Sequence, residues 1–265
     1  MVKALTIATS DSGGGAGLQA DLKTFAALGV FGLSVVTAVS AQNSYEVTGL
    51  ECLSPGLVRE QLRAVFSDMG AGAIKIGLIG NAANARVVGE FLRQMSPRPP
   101  VIVDPVMVST SGHVFLEKES IEALMELNPW VSLLTPNIPE AEFLSGLKIK
   151  TAEHMEKAGQ VIRDKWGLKR VLVKGGHQEG EYSSDLLVEP QGLVWFKSLR
   201  VKSQNNHGSG CTLSSAIAAG LAQGLDLGPA IEAAKEFVAS AMADSVQVGR
   251  GPGPLNHFYK FYSFG

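Results

Sequence analysis

A short glycine-containing segment ahead of an apolar run has the residue types that bind phosphate. Residues 207–212 read HGSGCT, and residues 213–224, rich in Ala, Leu and Ile, predict a buried helix directly after them. Glycines at a helix start let successive backbone N–H groups point at an anion, and the helix dipole adds its positive end. The segment predicts a phosphoryl-binding site, and a plain glycine-rich turn that lets the helix pack closely is the structural alternative.

Cys211 is the one residue of this segment that could also handle a proton. A thiol at a helix N-terminus is expected to ionise more easily, although a lone cysteine is more often a small core residue.

Two familiar nucleotide-binding patterns are absent, because no window fits GxxxxGK[ST] or GxGxxG. The phosphate site predicted here is therefore neither a P-loop nor a Rossmann fingerprint.

Polar residues follow three apolar runs that predict strands. Asp104 follows residues 101–103, Asn137 and Glu140 follow residues 131–134, and Lys174 follows residues 171–173. Ligands of an open parallel sheet bind at the carboxyl ends of its strands, so these side chains are expected to share one crevice. Each also has a structural interpretation. Asp104 fits a turn, Lys174 a solvated strand end, and Asn137 with Glu140 the capping box of a helix.

A second set of residues suits a flat heteroaromatic ligand. The amide of Gln42 can both donate and accept at the edge of a ring, although a glutamine in a surface turn is the plainer interpretation. Asp11 precedes three consecutive glycines, which let the backbone approach a small ligand closely, and Asp21 lies on the following helix. Taken alone, Asp11 and Asp21 are better explained by a glycine-rich turn with a solvated helix carboxylate.

These residues must be positioned by alternating strands and helices. Apolar, β-rich runs at residues 5–8, 34–39, 73–76, 101–103, 131–134 and 171–173 alternate with amphipathic helix patterns. Ser54-Pro55 and Thr151 mark helix starts, the latter ahead of a helix over 152–166. The alternation predicts an α/β fold with a mostly parallel sheet, and the lack of a linker predicts one domain over residues 1–265.

Composition excludes several classes of protein. The 265 residues carry 23 Lys and Arg against 25 Asp and Glu, a formal charge of −2, which does not suit a nucleic-acid partner. No apolar run is long enough for a membrane span, and we expect no membrane partner. Two distant cysteines argue against a disulfide framework or a structural zinc site, and no signal peptide is evident. A cytoplasmic location is expected.

The combined motifs closely resemble those of the hydroxymethylpyrimidine/phosphomethylpyrimidine kinases of thiamine biosynthesis, in the ribokinase-like family. The similar stretches cover nearly the whole chain in the same order: residues 6–23, 37–43, 104–107, 135–140, 173–177, 206–213 and 253–257. The resemblance implies a three-layer α/β/α sandwich around a mostly parallel sheet, and it suggests a homodimer. The reaction it implies is ATP-dependent phosphorylation of a hydroxymethylpyrimidine to its monophosphate and then to its pyrophosphate.

The resemblance also implies roles for individual residues. Those expected in catalysis are Lys174, Gly208, Ser209, Gly210 and Cys211. Those expected at the substrate are Thr9, Asp21, Gln42, Leu78 and Met107. Lys174, Asn137 and Ser209 are expected to bind ATP, and Asp104 and Glu140 to hold Mg²⁺, through water because this ion dehydrates reluctantly.

Some positions differ from the common pattern of this branch. Thr9 replaces Gly, Asn206 replaces Thr, Ser209 replaces Thr, and Leu78 replaces a frequent Met, which predicts a narrower or stiffer substrate slot. Cys211 stands where the wider family has an aspartate base. A pyridoxine or pyridoxal kinase of the same fold and a catalytically silent binding module are the alternatives. Residues 108–114 are a candidate lid over the site.

Overall fold

The computed structural model describes residues 1–107, 118–176 and 180–262. The candidate lid over residues 108–114 lies outside these ranges. Within them, strands from the first to the last third of the chain form one nine-stranded sheet in the order β3-β2-β1-β4-β5-β6-β7-β8-β9. The strands are β1 (Lys3–Asp11), β2 (Phe31–Gln42), β3 (Val47–Cys52), β4 (Ala73–Ile76), β5 (Val101–Val103), β6 (Leu133–Leu134), β7 (Val171–Val173), β8 (Tyr182–Glu189) and β9 (Gly192–Leu199).

The centre of the sheet is parallel and its edges are antiparallel. Strands β2, β1, β4, β5, β6 and β7 pair in parallel, and all six coincide with runs predicted from the sequence. The antiparallel strands β3, β8 and β9 were not predicted. The outward residues of β3 and β9 are exposed, so these two strands lack the continuous apolar character that marks a strand buried on both faces, whereas β8 is buried at residues 185–188.

Helices cover both faces of the sheet. They are α1 (Gly17–Ala27), α2 (Pro55–Asp68), α3 (Ala82–Gln94), α4 (Lys118–Met125), α5 (Ile138–Ser145), α6 (Ala152–Trp166), α7 (Ser209–Ala222) and α8 (Leu227–Ala243), with a 3₁₀ turn at Asn128–Trp130. Helices α2 to α6 pack on one face in one apolar cluster. Helices α1, α7 and α8 pack on the other face in a second cluster. The three-layer α/β/α arrangement is therefore confirmed.

Several helix starts agree with the sequence signals. Ser54, which precedes Pro55, caps α2 by accepting a hydrogen bond from the Leu57 N–H. Thr151 caps α6 by accepting a hydrogen bond from the His154 N–H. Helix α7, however, begins at Ser209, four residues before the apolar run that predicted it. Across the described ranges, no helix combines the length and apolar character needed to cross a bilayer.

The strand order reverses at β1. The chain moves from β1 outward to β2 and β3, and then returns to the other side of β1 with β4 and continues in the opposite direction. Such a reversal opens a crevice at the carboxyl ends of the adjacent strands, where open α/β sheets bind their ligands. The residues after β1, β4, β5, β6 and β7 all face this edge of the sheet.

Candidate active site

A single cavity of about 980 Å³ collects nearly all the residues predicted to be functional. Its lining includes Thr9, Gln42, Leu78, Asp104, Met107, Asn137, Glu140, Lys174, Gly208, Ser209, Gly210 and Cys211. These residues come from seven separate places in the chain. The sheet brings them together because each lies near the end of a strand, follows a strand or begins α7 at the same edge.

The first turn of α7 forms the floor of the predicted phosphate site. Gly208 is the N-cap residue, with φ of 80°, and a side chain there would overlap the carbonyl oxygen of Gly15. A Cβ on Gly210 would lie 3.2 Å from Lys174 Nζ and 3.6 Å from an Asp104 carboxylate oxygen. Residues 209–211 are thus helical rather than a loop, and their backbone approaches the Lys174 ammonium closely because position 210 has no side chain.

Lys174 and Asp104 form a buried ion pair at this floor. Lys174 Nζ lies 2.6 Å from Asp104 Oδ1, and both side chains are almost fully enclosed. Burial lowers the pKa of Lys174, but the carboxylates of Asp104 and Glu140 outweigh it and raise the pKa above its usual value. The ammonium is therefore charged and faces the cavity, instead of ending in bulk solvent.

Asn137 and Glu140 form the capping box predicted as their structural role. The Asn137 side chain accepts from the Glu140 N–H at 2.9 Å, and Glu140 Oε2 accepts from the Asn137 N–H at 2.7 Å. Both residues also line the cavity. Burial, together with the Asp104 carboxylate, raises the pKa of Glu140 to about 7, in spite of the nearby Lys174. Capping and a role at the site are therefore compatible.

Cys211 does not have the readily ionised thiol that its position at a helix start predicts. Burial raises its pKa to about 11, and the carboxylates of Asp21 and Asp104 act in the same direction. The Lys75 ammonium and the Gly17 N–H oppose this rise but do not cancel it. Desolvation thus outweighs the Lys75 charge and the Gly17 hydrogen bond, and the side chain is a neutral thiol at physiological pH.

Another part of the cavity is suited to a flat ring. Thr9 Oγ1 donates to the Leu78 carbonyl at 2.9 Å, and the buried side chains of Leu78 and Met107 supply apolar lining. Gln42, at the end of β2, contributes an amide to the same lining. The hydroxyl of Thr9 is already used within the protein, which leaves its methyl group to restrict the slot.

Asp21 takes a different position from the one expected. It is fully buried and is not among the cavity-lining residues of the described part of the chain. Its carboxylate pairs with the buried Lys75 at 2.8 Å and accepts from Thr6 Oγ1 and Ser215 Oγ. The structure therefore corrects the placement: Asp21 lies beneath the cavity and joins β1, β4 and α7 rather than reaching a ligand.

The side chains of His207 and Asp11 enter the site, although the sequence predicted only that their backbone segments lie near a ligand. Asp11 Oδ2 lies 3.3 Å from His207 Nε2, and both residues line the cavity. Backbone N–H groups of Gly13, Gly15 and Ala16 also donate to the Asp11 carboxylate. A buried acid followed by three glycines is the sequence signal for such a carboxylate, since a glycine turn can fold back onto it.

A further part of the lining comes from β8, β9 and α8. Lys235 and Asp185 form an enclosed ion pair at 2.6 Å, and Asp185 Oδ1 accepts from the Gly175 N–H at 2.8 Å. Apolar side chains, among them Leu199, Val238 and Met242, line the same region. Sequence reasoning missed these residues because they depend on two strands it did not predict.

Within the described ranges, no three His, Cys, Asp or Glu side chains are grouped closely enough to hold a metal ion. The two carboxylates of Asp104 and Glu140 face one ammonium instead.

Comparisons with known proteins agree on one family. Residues 11–256 match the profile of the family described as phosphomethylpyrimidine kinase. The chain is 45% identical over 264 residues to a hydroxymethylpyrimidine/phosphomethylpyrimidine kinase of Rhizobium meliloti, with 98% of each chain covered.

Solved structures resemble the whole chain. A Bacillus subtilis pyridoxal kinase, described as an ADP complex, has a TM-score of 0.90 at 34% identity and covers 98% of both chains. A phosphomethylpyrimidine kinase of Clostridium difficile has a TM-score of 0.79 at 40% identity, over 91% of this chain and 99% of that one. The ribokinase-like fold and the kinase class predicted from the sequence are thereby confirmed.

Proposed function

The chain belongs to the phosphomethylpyrimidine kinase family, and from that premise we propose that it phosphorylates 4-amino-5-hydroxymethyl-2-methylpyrimidine twice at the expense of ATP. The first transfer gives the monophosphate and the second the pyrophosphate, as a step of thiamine biosynthesis. One observation carries the proposal: the Lys174–Asp104 pair lies directly under Gly210, in the same cavity as Gln42 and Cys211. Residues 1–265 act as one kinase domain.

The phosphoryl donor is held by backbone and cation together. The N–H groups of residues 208–211 and the Lys174 ammonium stabilise the oxygens of the transferring group, and Asn137 and Ser209 contact the rest of the ATP phosphates. In-line transfer needs positioning and charge neutralisation more than covalent chemistry from the protein. The apolar lining from β9 and α8, including Leu199 and Val238, is suited to enclosing the nucleotide base.

The acceptor is held in the slot between Thr9, Leu78 and Met107, with the Gln42 amide at its polar edge. A ring nitrogen and an exocyclic amine need an acceptor and a donor side by side, which one amide provides. Cys211 is a neutral thiol, so it positions the hydroxymethyl oxygen by hydrogen bonding instead of acting as a preformed base. A loose transition state places little demand on a base.

Asp104 and Glu140 fit a site for Mg²⁺. Two enclosed carboxylates face one ammonium, and burial, with the Asp104 carboxylate, raises the pKa of Glu140, so a further cation would favour its ionised form. Hard oxygen donors in small number suit an ion that retains several of its waters. When bound, Mg²⁺ supplies charge neutralisation at the phosphate oxygens.

Pyridoxal is a second candidate substrate, favoured by the TM-score of 0.90 with a pyridoxal kinase. The test is incubation with magnesium-ATP and, separately, the hydroxymethylpyrimidine, pyridoxine, pyridoxal and ribose, with products resolved by mass. Conversion of the pyrimidine to its monophosphate and then its pyrophosphate is expected. Preference for pyridoxal, with the pyrimidine stopping at the monophosphate, would assign the chain to the second function, and no turnover of any acceptor would leave a binding module.

We also propose that the protein is a cytoplasmic homodimer. The edge of the sheet at β2 and β3 leaves Phe31, Val39 and Tyr45 exposed, and such apolar surface suits contact with a second copy. Sedimentation equilibrium should give twice the chain mass of 28.0 kDa. A monomer at micromolar concentration would contradict the proposal.

A further inference from the structure

His207 lies between two groups that place opposite demands on one nitrogen atom. Its Nε2 is 3.3 Å from Asp11 Oδ2 and 3.4 Å from Gln42 Nε2. A hydrogen on Nε2 serves the carboxylate but cannot coexist with a hydrogen bond donated by the amide. A lone pair on Nε2 accepts from the amide but faces the carboxylate without a hydrogen.

The Asp11 carboxylate favours the form with the hydrogen on Nε2. Burial raises the pKa of Asp11, but hydrogen bonds from His207 and from the backbone N–H groups of Ala16 and Gly13 outweigh it and hold the pKa below its usual value. Asp11 is thus an ionised acceptor, 3% exposed, at the end of β1. A charge-assisted hydrogen bond to it is stronger than a neutral bond from an amide.

A hydrogen on His207 Nε2 then determines which way the Gln42 amide faces. Rotation of the amide by half a turn exchanges its oxygen and nitrogen, so that the oxygen faces His207 and the NH₂ group faces Ser40. Ser40 can accept this bond, because its hydroxyl lies 3.1 Å from the Ser10 carbonyl and donates there. The single hydrogen on His207 Nε2 then lies between two acceptors, Asp11 Oδ2 and Gln42 Oε1, while one hydrogen of the amide is accepted by Ser40 and the Ser40 hydroxyl hydrogen by the Ser10 carbonyl.

The opposite orientation of the Gln42 amide leaves more polar groups without a hydrogen-bond partner. With the amide nitrogen towards His207, the Ser40 hydroxyl donates to Gln42 Oε1 at 3.3 Å and the Ser10 carbonyl loses this donor. His207 Nε2 must then be an acceptor, and its lone pair faces the Asp11 carboxylate. The two orientations of the amide are therefore coupled to the two tautomers of one imidazole.

We propose that His207, held by Asp11, sets the orientation of the Gln42 amide and thereby selects a ring that carries an amino group beside a ring nitrogen. The inference rests on the proposed function, since it concerns the acceptor of that reaction. His207 is a positioning residue: it acts on the substrate through Gln42. An amide in the reverse orientation would oppose donor to donor and acceptor to acceptor along the ring edge.

The test measures kcat and KM for the hydroxymethylpyrimidine and for its analogue without the amino group. We expect His207→Leu to raise KM for the amino substrate by about 30-fold, the usual effect of one mispaired buried polar contact, and to change kcat little. The analogue should change by less than about threefold, because it does not need the donor and acceptor in a fixed order. His207→Gln, whose amide can still donate to Asp11, should recover most of the affinity.

A double-variant cycle separates positioning from general loss of structure. In a Gln42→Leu background, His207→Leu should have almost no further effect on kcat/KM for the amino substrate. Additive effects, or equal effects on the two substrates, would overturn the proposal. His154→Leu, at an exposed position on α6, is the matched control and should match the unsubstituted protein.

A measurement on the unsubstituted protein covers the case in which the leucine variant fails to fold. Nitrogen-15 shifts of the imidazole report its tautomer, and His207 should carry its hydrogen on Nε2, with and without substrate. A hydrogen confined to Nδ1 would overturn the inference. If the unsubstituted protein does not phosphorylate the hydroxymethylpyrimidine at all, the proposed function fails, whereas phosphorylation with a Nδ1-protonated His207 removes only this inference.

Discussion

At the scale of single residues, desolvation dominates the chemistry of Cys211. The helix start that predicts an acidic thiol also encloses it among carboxylates, and the result is a pKa raised to about 11. The first transfer has a hydroxyl acceptor that must be oriented, whereas the second has an acceptor that is already an anion. Cys211 is therefore needed more in the first step than in the second.

We predict that Cys211→Ala lowers the rate of monophosphate formation by about 100-fold, the effect of a misplaced acceptor, and the second transfer by less than about threefold. Cys211→Ser should retain most of the first activity. Because the thiol stays protonated, the rate of the first step should not rise tenfold per unit between about pH 6.5 and 8.5. Single-turnover rates for each acceptor measure this, and unchanged rates in both steps would contradict a role for Cys211.

The raised pKa of Glu140 leads us to predict that the protein becomes less stable as the pH rises towards 7 and above. Its pKa is raised from 4.5 to about 7 in the folded protein, so the folded state binds this proton more tightly than the unfolded state does. Its contribution to stability is fully present below about pH 4.5 and is lost as the pH rises through about 7. Mg²⁺ favours the ionised form and should stabilise the protein more on the alkaline side.

Thermal unfolding with and without Mg²⁺, at about pH 5.5 and pH 8.5, measures this dependence. Glu140→Gln is the matched variant, because glutamine can still accept the Asn137 N–H in the capping box. It should flatten the decrease in Tm towards alkaline pH and reduce the stabilisation by Mg²⁺. An equal effect of Mg²⁺ at both pH values would contradict the assignment of Glu140.

The sequence predicts correctly which residues at strand ends line the cavity. It does not predict the buried ion pair of Asp21 and Lys75. Asp104, Lys174 and Gln42 line the cavity because the edge of a parallel sheet collects whatever follows its strands. Asp21 was misplaced because its partner Lys75 lies on β4, far away in sequence. A lysine in the middle of a short apolar strand was the available signal, since a parallel strand is buried on both faces.

At the scale of elements, the start of α7 and the loop after β1 depend on each other. Gly208 has a left-handed φ of 80° and lies against the Gly15 carbonyl, so two loops far apart in sequence meet without room for a methyl group. This contact fixes the height of the phosphate-binding turn above the substrate slot. It follows that strain introduced here affects the site as well as stability.

We predict that Gly208→Ala lowers the free energy of unfolding by more than about 3 kcal/mol, because left-handed strain and a backbone overlap act together. Gly224→Ala is the matched control, with φ of 90° and open space around its Cβ. Its cost should be about 1 kcal/mol from left-handed strain alone. Urea unfolding measures the free energy of unfolding of both variants. Equal losses would show that the Gly15 backbone moves to make room for the new methyl group.

The elements themselves were predictable where periodicity was strong. Six parallel strands and the starts of α2 and α6 followed from apolar runs and capping residues. The first turn of α7 was missed because its sequence of glycine, serine and cysteine has no apolar period, although backbone bonds such as Thr212 N–H to the Gly208 carbonyl make it helical. Strands β3 and β9, at the two edges of the sheet, were missed because they bury little, and β8, between β7 and β9, was missed although its residues 185–188 are buried.

At the scale of the whole molecule, a buried ion pair ties the sheet to one helical layer. Asp21 on α1 and Lys75 on β4 are both fully enclosed, and Ser215 on α7 donates to the same carboxylate. The Asp21 carboxylate raises the pKa of Lys75 well above its usual value, against the effect of burial. The pair lies beneath Cys211, so the layers and the floor of the site share one set of contacts.

We predict that Lys75→Met lowers the free energy of unfolding by about 3–5 kcal/mol, because it leaves the Asp21 carboxylate buried without its partner. Combining it with Asp21→Leu should recover most of the loss. Arg59→Met, which removes an exposed ion pair with Glu90, is the control and should cost less than about 1 kcal/mol. Urea unfolding of the three variants measures these differences. A double variant no more stable than Lys75→Met would show that the unpaired Asp21 carboxylate is not the cause of the loss.

The neutral thiol of Cys211 has a consequence for how the molecule withstands chemical stress. Oxidants and alkylating agents attack thiolates, and a thiol with a pKa of about 11 is ionised in only about one molecule in ten thousand at neutral pH. Burial also raises the pKa of Cys52, the other cysteine of the chain. Peroxide or electrophiles that inactivate enzymes with acidic cysteines should therefore react slowly with both cysteines of this chain.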